Sequence, residues 1–556
     1  MTERIFVAVA WPYANGPLHL GHIAGCYLPA DIFARYHRLI GNDVLMVSGS
    51  DSHGTPITLR SEQEGISPKE LVARFHDSFM ESWEGLGIQW DLFTSTATDN
   101  HREVVHDIWR TLDEKGLIYT AVMPLPYCHV DKRFLPDRYV EGTCPHCSFD
   151  KARGDQCDNC GHTLEPQELK DLRCRLCGAT PEIRESEHFF FSLSSFREAL
   201  LEWVGPQTTW RPNVRNFTVS FLEGELKDRP ISRDISWGVP LPMDGQDSKR
   251  VYVWFEAVVG YLSASKEWAK LRGTPDAWED FWKDPSCRPY YFIGKDNIPF
   301  HTIIWPAMLM GYGGLNLPFD VPANEFLTIE GSQLSTSRNW AVWVPDYLER
   351  FDPDPLRYYL SAHMPETSDS SFSWKEFQRR NNDELVATFG NLVHRVLSFT
   401  YRNFDGQVPE PGDLDQRDNE MLEKAQAAFD DVGKEIANCH FRDALRHIMA
   451  LSQEANRYLD STEPWKTIKE NKPQAGTSLW VAVNVIGALS TLVWPFLPFS
   501  GDKIRAMLGL SGTVSDSGWM HREVAANQPM NSPKALFTKL EDEVIQQEEE
   551  RLHAGR

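Results

Sequence analysis

Residues Ile5-Phe-Val-Ala-Val-Ala-Trp-Pro-Tyr-Ala-Asn-Gly-Pro-Leu-His-Leu-Gly-His22 decide the fold. Ile5 to Ala10 is a continuous apolar run, as expected of a strand buried on both faces of a parallel sheet. Trp11 to Pro17 holds two prolines and an Asn-Gly pair, which end the strand in a turn. His19 to Ile40 carries helical periodicity and stops at Gly41-Asn42, and Asp43 to Ser48 is a second apolar strand. Strand, turn, helix and strand in this order open a nucleotide-binding α/β unit. A helix start presents unpaired N–H groups and a partial positive charge, which suit a polyphosphate. His19 and His22 sit on one helical turn and point to one side, while Gly21 lets a flat ligand approach the backbone.

The whole chain has 556 residues, with 56 basic and 79 acidic side chains and a net charge of −23. Hydrophobic residues make up 41% and charged ones 24%, which excludes a mostly disordered or low-complexity chain. The length predicts several domains. The acidity excludes a uniformly basic nucleic-acid-binding surface but leaves room for a local basic path. The opening residues lack a basic segment followed by a long apolar one, so no signal peptide is expected. Six of the ten cysteines fall in Cys-x2-Cys pairs, which is metal spacing rather than a disulfide framework and points to a reducing cytoplasm. Cys26, Cys287 and Cys439 stand alone and read as buried thiols. Leu479 to Phe499 is uncharged and long enough to span a membrane. Asn484, Gly487, Ser490 and Thr491 interrupt it and Pro495 and Pro498 break its end, so we read a buried bundle helix and no membrane partner.

Between about 118 and 230 the regular periodicity disappears and Cys, Gly and Pro cluster, the mark of an insertion. Two Cys-x2-Cys turns complete a tetrahedron of thiolates, so Cys144, Cys147, Cys157 and Cys160 are predicted to hold one structural zinc ion. The pair Cys174/Cys177 needs further ligands, and Cys128-His129-Val130-Asp131 lies upstream. From Asn381 the pattern is helical. Leu385, Phe389, Leu392, Val393, Val396 and Phe399 share one face, with Asn391 and Arg395 beside it.

Trp11 to His22 resembles the His-Ile-Gly-His signature of class I aminoacyl-tRNA synthetases, and its Pro-Tyr-Ala-Asn-Gly lead-in resembles the methionyl-tRNA synthetase family. The resemblance continues through Gly49-Ser-Asp51-Ser-His-Gly-Thr-Pro56, Phe134 to Cys147, Ile231-Ser-Arg233-Asp234, Tyr252 to Ala257, and Phe292-Ile-Gly-Lys295-Asp296 with His301. It implies a Rossmann-type α/β catalytic core with a zinc-knuckle insertion, followed by an α-helical anticodon-binding bundle. The implied divisions are a core over 1–117 and 231–324, the insertion over 118–230, a linker over 325–380, the helical domain over 381–535 and a tail over 536–556. It implies a two-step ligase that makes methionyl-adenylate from methionine and ATP, then esterifies tRNA(Met). Little covalent chemistry falls to such a protein, which must align reactants and stabilise charge on phosphate oxygens.

By the same resemblance His19, Gly21, His22, Lys295, Asp296 and Thr336 serve ATP, which arrives with Mg²⁺. His19, His22, Asp51, Arg233, Lys295, Ser335, Thr336 and Arg338 form the catalytic set. Ala10, Trp11, Tyr13, Asp51, Trp254, Ala257, Tyr261 and His301 form the methionine pocket, with Asp51 facing the ammonium. The two-zinc branch of the family implies a second site of Cys128, Cys174, Cys177 and either Asp131 or His129. Asn391, Arg395 and Trp465 are implied anticodon readers. The family domain that accompanies dimers is not seen after the bundle, so a monomer is expected.

One departure matters. The family's Lys-Met-Ser-Lys-Ser signature is here Gln333-Leu-Ser-Thr-Ser337, followed by Arg338, and both lysines are missing. Either Arg338, Lys295 and Mg²⁺ supply the charge over the leaving pyrophosphate, or activation is slow; we favour the first. A paralogue that activates an amino acid without charging tRNA, and a noncatalytic zinc-ribbon RNA-binding protein, are the rival expectations. Asn391/Arg395/Trp465 and His19/His22/Lys295 disfavour them. If Arg338 acts on the transition state, Arg338→Ala will slow methionine-dependent pyrophosphate exchange far more than it weakens methionine binding. Equal small effects on both would remove it from the mechanism.

Overall fold

The computed structural model describes residues 2–154, 157, 159–160, 164, 166–334 and 339–554, with the backbone alone at 167. In chain order the principal strands are β1 (Arg4–Val9), β2 (Asp43–Ser50), β3 (Leu92–Ser95), β4 (Ile118–Cys128), β5 (Glu182–Phe191), β6 (Arg288–Gly294) and β7 (Ala323–Asn324). Five of them form one parallel sheet in the order β7-β6-β1-β2-β3. The apolar run explains its centre. Ile5 to Val9 are fully buried, with Val7 paired to Tyr290 of β6 on one side and Met46 of β2 on the other. Strand order reverses at the β1/β6 boundary: β2 and β3 extend the sheet on one side of β1, and β6 and β7 on the other. In open parallel sheets, ligands bind at the carboxyl ends of strands on either side of such a switch point.

The helix after β1 begins with Leu20–His22, passes through a π turn at Ile23–Tyr27 and continues as α1 (Leu28–Leu39). Single π turns inside helices occur often at functional sites. A second such turn, Phe300–Ile304, carries His301. The lead-in turn is stitched to the end of β2. Asp51 N–H donates to Pro12 O at 2.8 Å, and Ala14 N–H donates to Asp51 O at 2.9 Å.

The inserted segment contains more regular structure than its sequence suggests. β4 and β5 form an antiparallel ribbon paired from Ile118↔Phe191 to Tyr127↔Glu182. Much of β4 is exposed, so the apolar alternation that marks a half-buried strand is weak there. The cysteine turns lie at the far end of this ribbon. Helices Arg197–Val204 and Pro212–Glu223 return the chain to the core, where Trp210 Nε1–H donates to Phe319 O at 2.9 Å.

The helical domain is built on α2 (Asn391–Asn403), α3 (Gln416–Ala437), α4 (Phe441–Thr462) and α5 (Lys472–Val493). Of the predicted stripe, Leu385, Phe389, Leu392, Val393 and Val396 are buried, although Asn381–Gly390 winds as a π-helix. α5 is the one described helix long and apolar enough to cross a membrane, and its apolar stretch is buried inside the fold. Its Asn484 is satisfied there, accepting from Val524 N–H at 2.7 Å and donating to Trp480 O at 3.0 Å. The tail forms a helix, Asp542–Ala554, that docks through Glu548 onto the Arg350 guanidinium at 2.8 Å.

A buried ion cluster ties the bundle to the catalytic core. Asp31 of α1 pairs with Arg35 at 2.8 Å and with Arg357 at 2.7 Å, and all three are essentially inaccessible. Arg357 also donates to Pro495 O, Phe496 O and Leu86 O. Burial alone would raise the Asp31 carboxyl, but the two guanidiniums hold it below its ordinary value. Removing one partner strands the other charges without solvent. Asp31→Asn is therefore expected to destabilise the fold by about 3–5 kcal/mol, read as a lowered urea midpoint; a change under about 1 kcal/mol, the size of a surface pair, would refute this.

Candidate active site

A cavity of about 370 Å³ opens at the switch point. Its walls follow directly from the ends of the parallel strands: Ala10 to Tyr13 after β1, Asp51 after β2, Asp296 and Asn297 after β6, and Glu325 to Leu327 after β7. His19, Gly21 and His22 close one side and Trp254, Ala257, Tyr261 and His301 the other. Twelve residues singled out from the sequence thus meet around one space.

The two imidazoles stack with centroids 3.7 Å apart and planes 14° from parallel. His19 backbone N–H donates to His22 Nδ1 at 3.1 Å. Burial, with His22 adding to it, holds His19 well below the usual imidazole range, and burial lowers His22 to about 4. Both rings are therefore neutral near pH 7. His19 Nδ1 is buried and has no hydrogen-bond partner among the described residues. A methyl group on Gly21 would lie 3.1 Å from the His19 ring, so the bare backbone is what leaves this surface open.

The apolar end is aromatic. Trp254 stacks on Phe300 at 4.1 Å and meets the edge of Tyr13 at 6.0 Å. Tyr261 Oη lies 2.6 Å from His301 Nε2, and His301 Nδ1 is 2.9 Å from Asn297 O. Burial lowers His301 to about 4, so the ring is neutral; Nδ1–H then donates to the carbonyl and Nε2 accepts from the tyrosine. Trp11 is wedged between two glycines. A methyl on Gly49 would sit 2.2 Å from the indole, and one on Gly260 2.8 Å from it.

Asp51 is only 3% exposed, and no cationic side chain pairs with it among the described residues. Burial, reinforced by the charge of Glu256, pushes its carboxyl well above the ordinary range. Glu256 is fully buried and bridges two imidazoles, His53 Nδ1 and His101 Nε2, each at 2.7 Å. Burial would raise it, but the two histidines outweigh that and hold it below its usual value. This network went unread in the sequence, though Glu256 is the one carboxylate in an otherwise apolar Val251 to Ala257. Glu325 also went unread.

Other expected residues stand differently. Lys295 and Arg233 do not line the cavity. Lys295 sits between Glu325 at 2.8 Å and Asp369 at 2.7 Å. Arg233 lies over the Tyr252 ring at 3.7 Å and pairs with Asp137 of the insertion at 3.3 Å. Ser335, Thr336 and Arg338 lie outside the described residues. Leu334, just before them, does line the cavity, and beyond them Leu20 N–H donates to Val342 O at 3.2 Å.

Two cysteine clusters stand apart from the cavity. Cys144, Cys147, Cys157 and Cys160 converge, as do Cys128, Asp131, Cys174 and Cys177, with the donor atoms of each within 4.8 Å. Sγ–Sγ separations of 3.8 Å for Cys144/Cys160 and 3.6 Å for Cys147/Cys157 approach the ~3.8 Å edge of a tetrahedron with Zn–S bonds near 2.3 Å. In the second cluster a carboxylate oxygen of Asp131 lies 3.1 Å from both Cys128 and Cys174 Sγ, whereas His129 turns to Glu182 at 2.7 Å. In the helical domain Arg395 lies 5.0 Å over the Trp465 ring and donates to Asn456 at 3.0 Å, with Asn391 exposed one turn earlier.

Comparison with known proteins agrees with this geometry. The family model "tRNA synthetases class I (M)" matches residues 5–397, and "Anticodon binding domain of methionyl tRNA ligase" matches 408–556. The chain is 54% identical to a methionine–tRNA ligase of Thermomicrobium roseum over the full length of both. It is 57% identical to one of Dehalococcoides mccartyi, covering 99% of this chain and all of the relative. The crystal structure of Mycobacterium tuberculosis methionyl-tRNA synthetase bound by methionyl-adenylate superposes with a TM-score of 0.80 at 27% identity, over 96% of this chain and all of that one. The strand order, the cavity at the switch point and these matches have one common account: the chain belongs to the methionyl-tRNA synthetases, the class I ligases that join methionine to its tRNA.

Proposed function

We propose that the cavity activates methionine with ATP and that its residues divide the work by charge. The buried, unpaired Asp51 beside an aromatic pocket carries this reading. A buried carboxylate without a cation is unfavourable until an ammonium arrives, and aromatic walls formed by Tyr13, Trp254 and Tyr261 suit a polarizable thioether. With the ammonium on Asp51 and the side chain among the aromatics, the methionine carboxylate is left facing the imidazole pair. His19 and His22, neutral and at a helix start, donate to phosphate oxygens. Asp296 takes the ribose, and Lys295 supplies the fixed positive charge the signature loop lacks, with Arg338, Ser335 and Thr336 completing it. Mg²⁺ accompanies ATP as part of that substrate.

The clusters' thiolates fit Zn²⁺, with Cys144, Cys147, Cys157 and Cys160 as one complete set and Cys128, Asp131, Cys174 and Cys177 as the other. Zinc would cross-link a small insertion that has little core of its own. The insertion in turn holds Arg233 through Asp137. Asn391, Arg395 and Trp465 read the anticodon by hydrogen bonding and stacking. We read the chain as a cytoplasmic monomer, with the domain limits given above.

Methionine-dependent pyrophosphate exchange and charging of purified tRNA(Met) test the reading together. Exchange without charging would favour the activating paralogue, and neither would favour the noncatalytic protein. Asp51 gives a pH signature. In the free protein its proton persists above the usual carboxylate range, and an ammonium favours the ionised form. Methionine binding is therefore expected to release a proton, and affinity to fall as pH drops through the raised value. Calorimetry in two buffers of different ionisation enthalpy reads that proton. Asp51→Asn is expected to abolish the release and cost about 2–5 kcal/mol of binding. Metal analysis is expected to find two zinc ions per chain, with Asp131→Ala retaining one; full occupancy in that variant would exclude Asp131 as a ligand.

A further inference from the structure

Lys295 opens the turn after β6, at the edge of the cavity. Its ammonium lies 2.8 Å from Glu325, 2.7 Å from Asp369 and 4.2 Å over the Phe326 ring. The two carboxylates are not equivalent. Glu325 lines the cavity, is mostly buried, and keeps a second donor in Asn213 Nδ2 at 2.7 Å. Asp369 does not line the cavity and is half exposed. The Asp369 carboxylate that holds Lys295 also accepts Phe326 N–H at 2.9 Å, which couples the ammonium to the segment forming the cavity wall. Asp369 precedes the strand Ser370–Phe372, which pairs in parallel with Leu327–Ile329 of that wall.

We propose that Asp369 is a positioning residue that aims Lys295 at the ATP polyphosphate, and that Glu325 is the exchangeable partner the polyphosphate displaces. The asymmetry follows from place. An anion entering the cavity meets Glu325 on its path, and after losing the ammonium Glu325 still has Asn213. Asp369 stands behind the ammonium, where its charge holds Lys295 without crossing the ligand's path. This inference rests on the reading of Lys295 as an ATP-binding cation.

Pyrophosphate exchange at saturating methionine, with MgATP varied, separates the roles. Glu325→Gln is expected to lower the KM for ATP and Asp369→Asn to raise it, each about twofold to fivefold, the range of a part-exposed ion pair. kcat is expected to change less than KM in both, and Asp369→Glu to restore the wild-type value. In a Lys295→Met background Asp369→Asn is expected to raise KM no further, because only a negative charge is then being removed. An equal rise in that background would show that Asp369 acts by supporting the fold, and would overturn the proposal. So would a rise in KM with Glu325→Gln, or no rise with Asp369→Asn. If Lys295→Met itself left ATP kinetics unchanged, the assignment of Lys295 would fail first, and that result is distinguishable from failure of the clamp.

Discussion

A carboxylate buried without a cation is the constraint around which this site is organised. Asp51 is 3% exposed and faces the field of a second carboxylate, Glu256. Such a group is costly to ionise in the free protein. The surrounding structure keeps it there nonetheless. Backbone hydrogen bonds from the lead-in turn hold Asp51 at the end of β2, and Glu256 is fixed from both sides by His53 and His101. The arrangement stores an unmet demand for positive charge at one point in the cavity. In the proposed reading an α-ammonium meets that demand, and the side chain beyond it meets the aromatic wall. Recognition of an amino acid thus needs little more than one charge and a shaped wall.

The same burial acts on the imidazole side of the cavity with the opposite sign. Desolvation keeps His19 and His22 neutral, so the pair offers hydrogen-bond donors rather than fixed charge. Fixed charge must then come from elsewhere, and the signature loop has no lysine to give. Lys295 is a cation at the edge of the cavity, and two carboxylates keep it charged and oriented. Placing a lysine between acids raises its pKa rather than lowering it, which preserves the ammonium in a partly desolvated position.

The central strand, the helix after it and the cavity's main lining residues were legible because they are local. A continuous apolar run fixes β1, and Pro and Gly mark the turn that follows. The cysteine spacing is local too, and it marks Cys144, Cys147, Cys157 and Cys160 as one set; the grouping of Cys128 with Cys174 and Cys177 rested on the family resemblance, and choosing Asp131 over His129 needed the partner His129 finds in Glu182, fifty-three residues on. What was not legible is long-range. Glu256 reaches His53 and His101 across more than 150 positions, and Lys295 reaches Asp369 across 74. No periodicity records such pairings. The ribbon of β4 and β5 was hidden for another reason: it is exposed along much of its length, so its sequence need not alternate.

The net charge of −23 bears on the second substrate, a polyanion. The adjacent Arg379 and Arg380 are already paired with Glu376 and Glu384. Arg395 is held differently, 5.0 Å over the Trp465 ring with Asn456 and Asp460 beside it. A guanidinium over an indole ring sets N–H donors beside an aromatic face. That favours contact with splayed bases over contact with phosphates. If Asn391, Arg395 and Trp465 read the anticodon as proposed, an acidic protein gains specificity from stacking and hydrogen bonds at one helix flank. It then needs only a short basic path elsewhere, since a broad positive surface would bind every RNA alike.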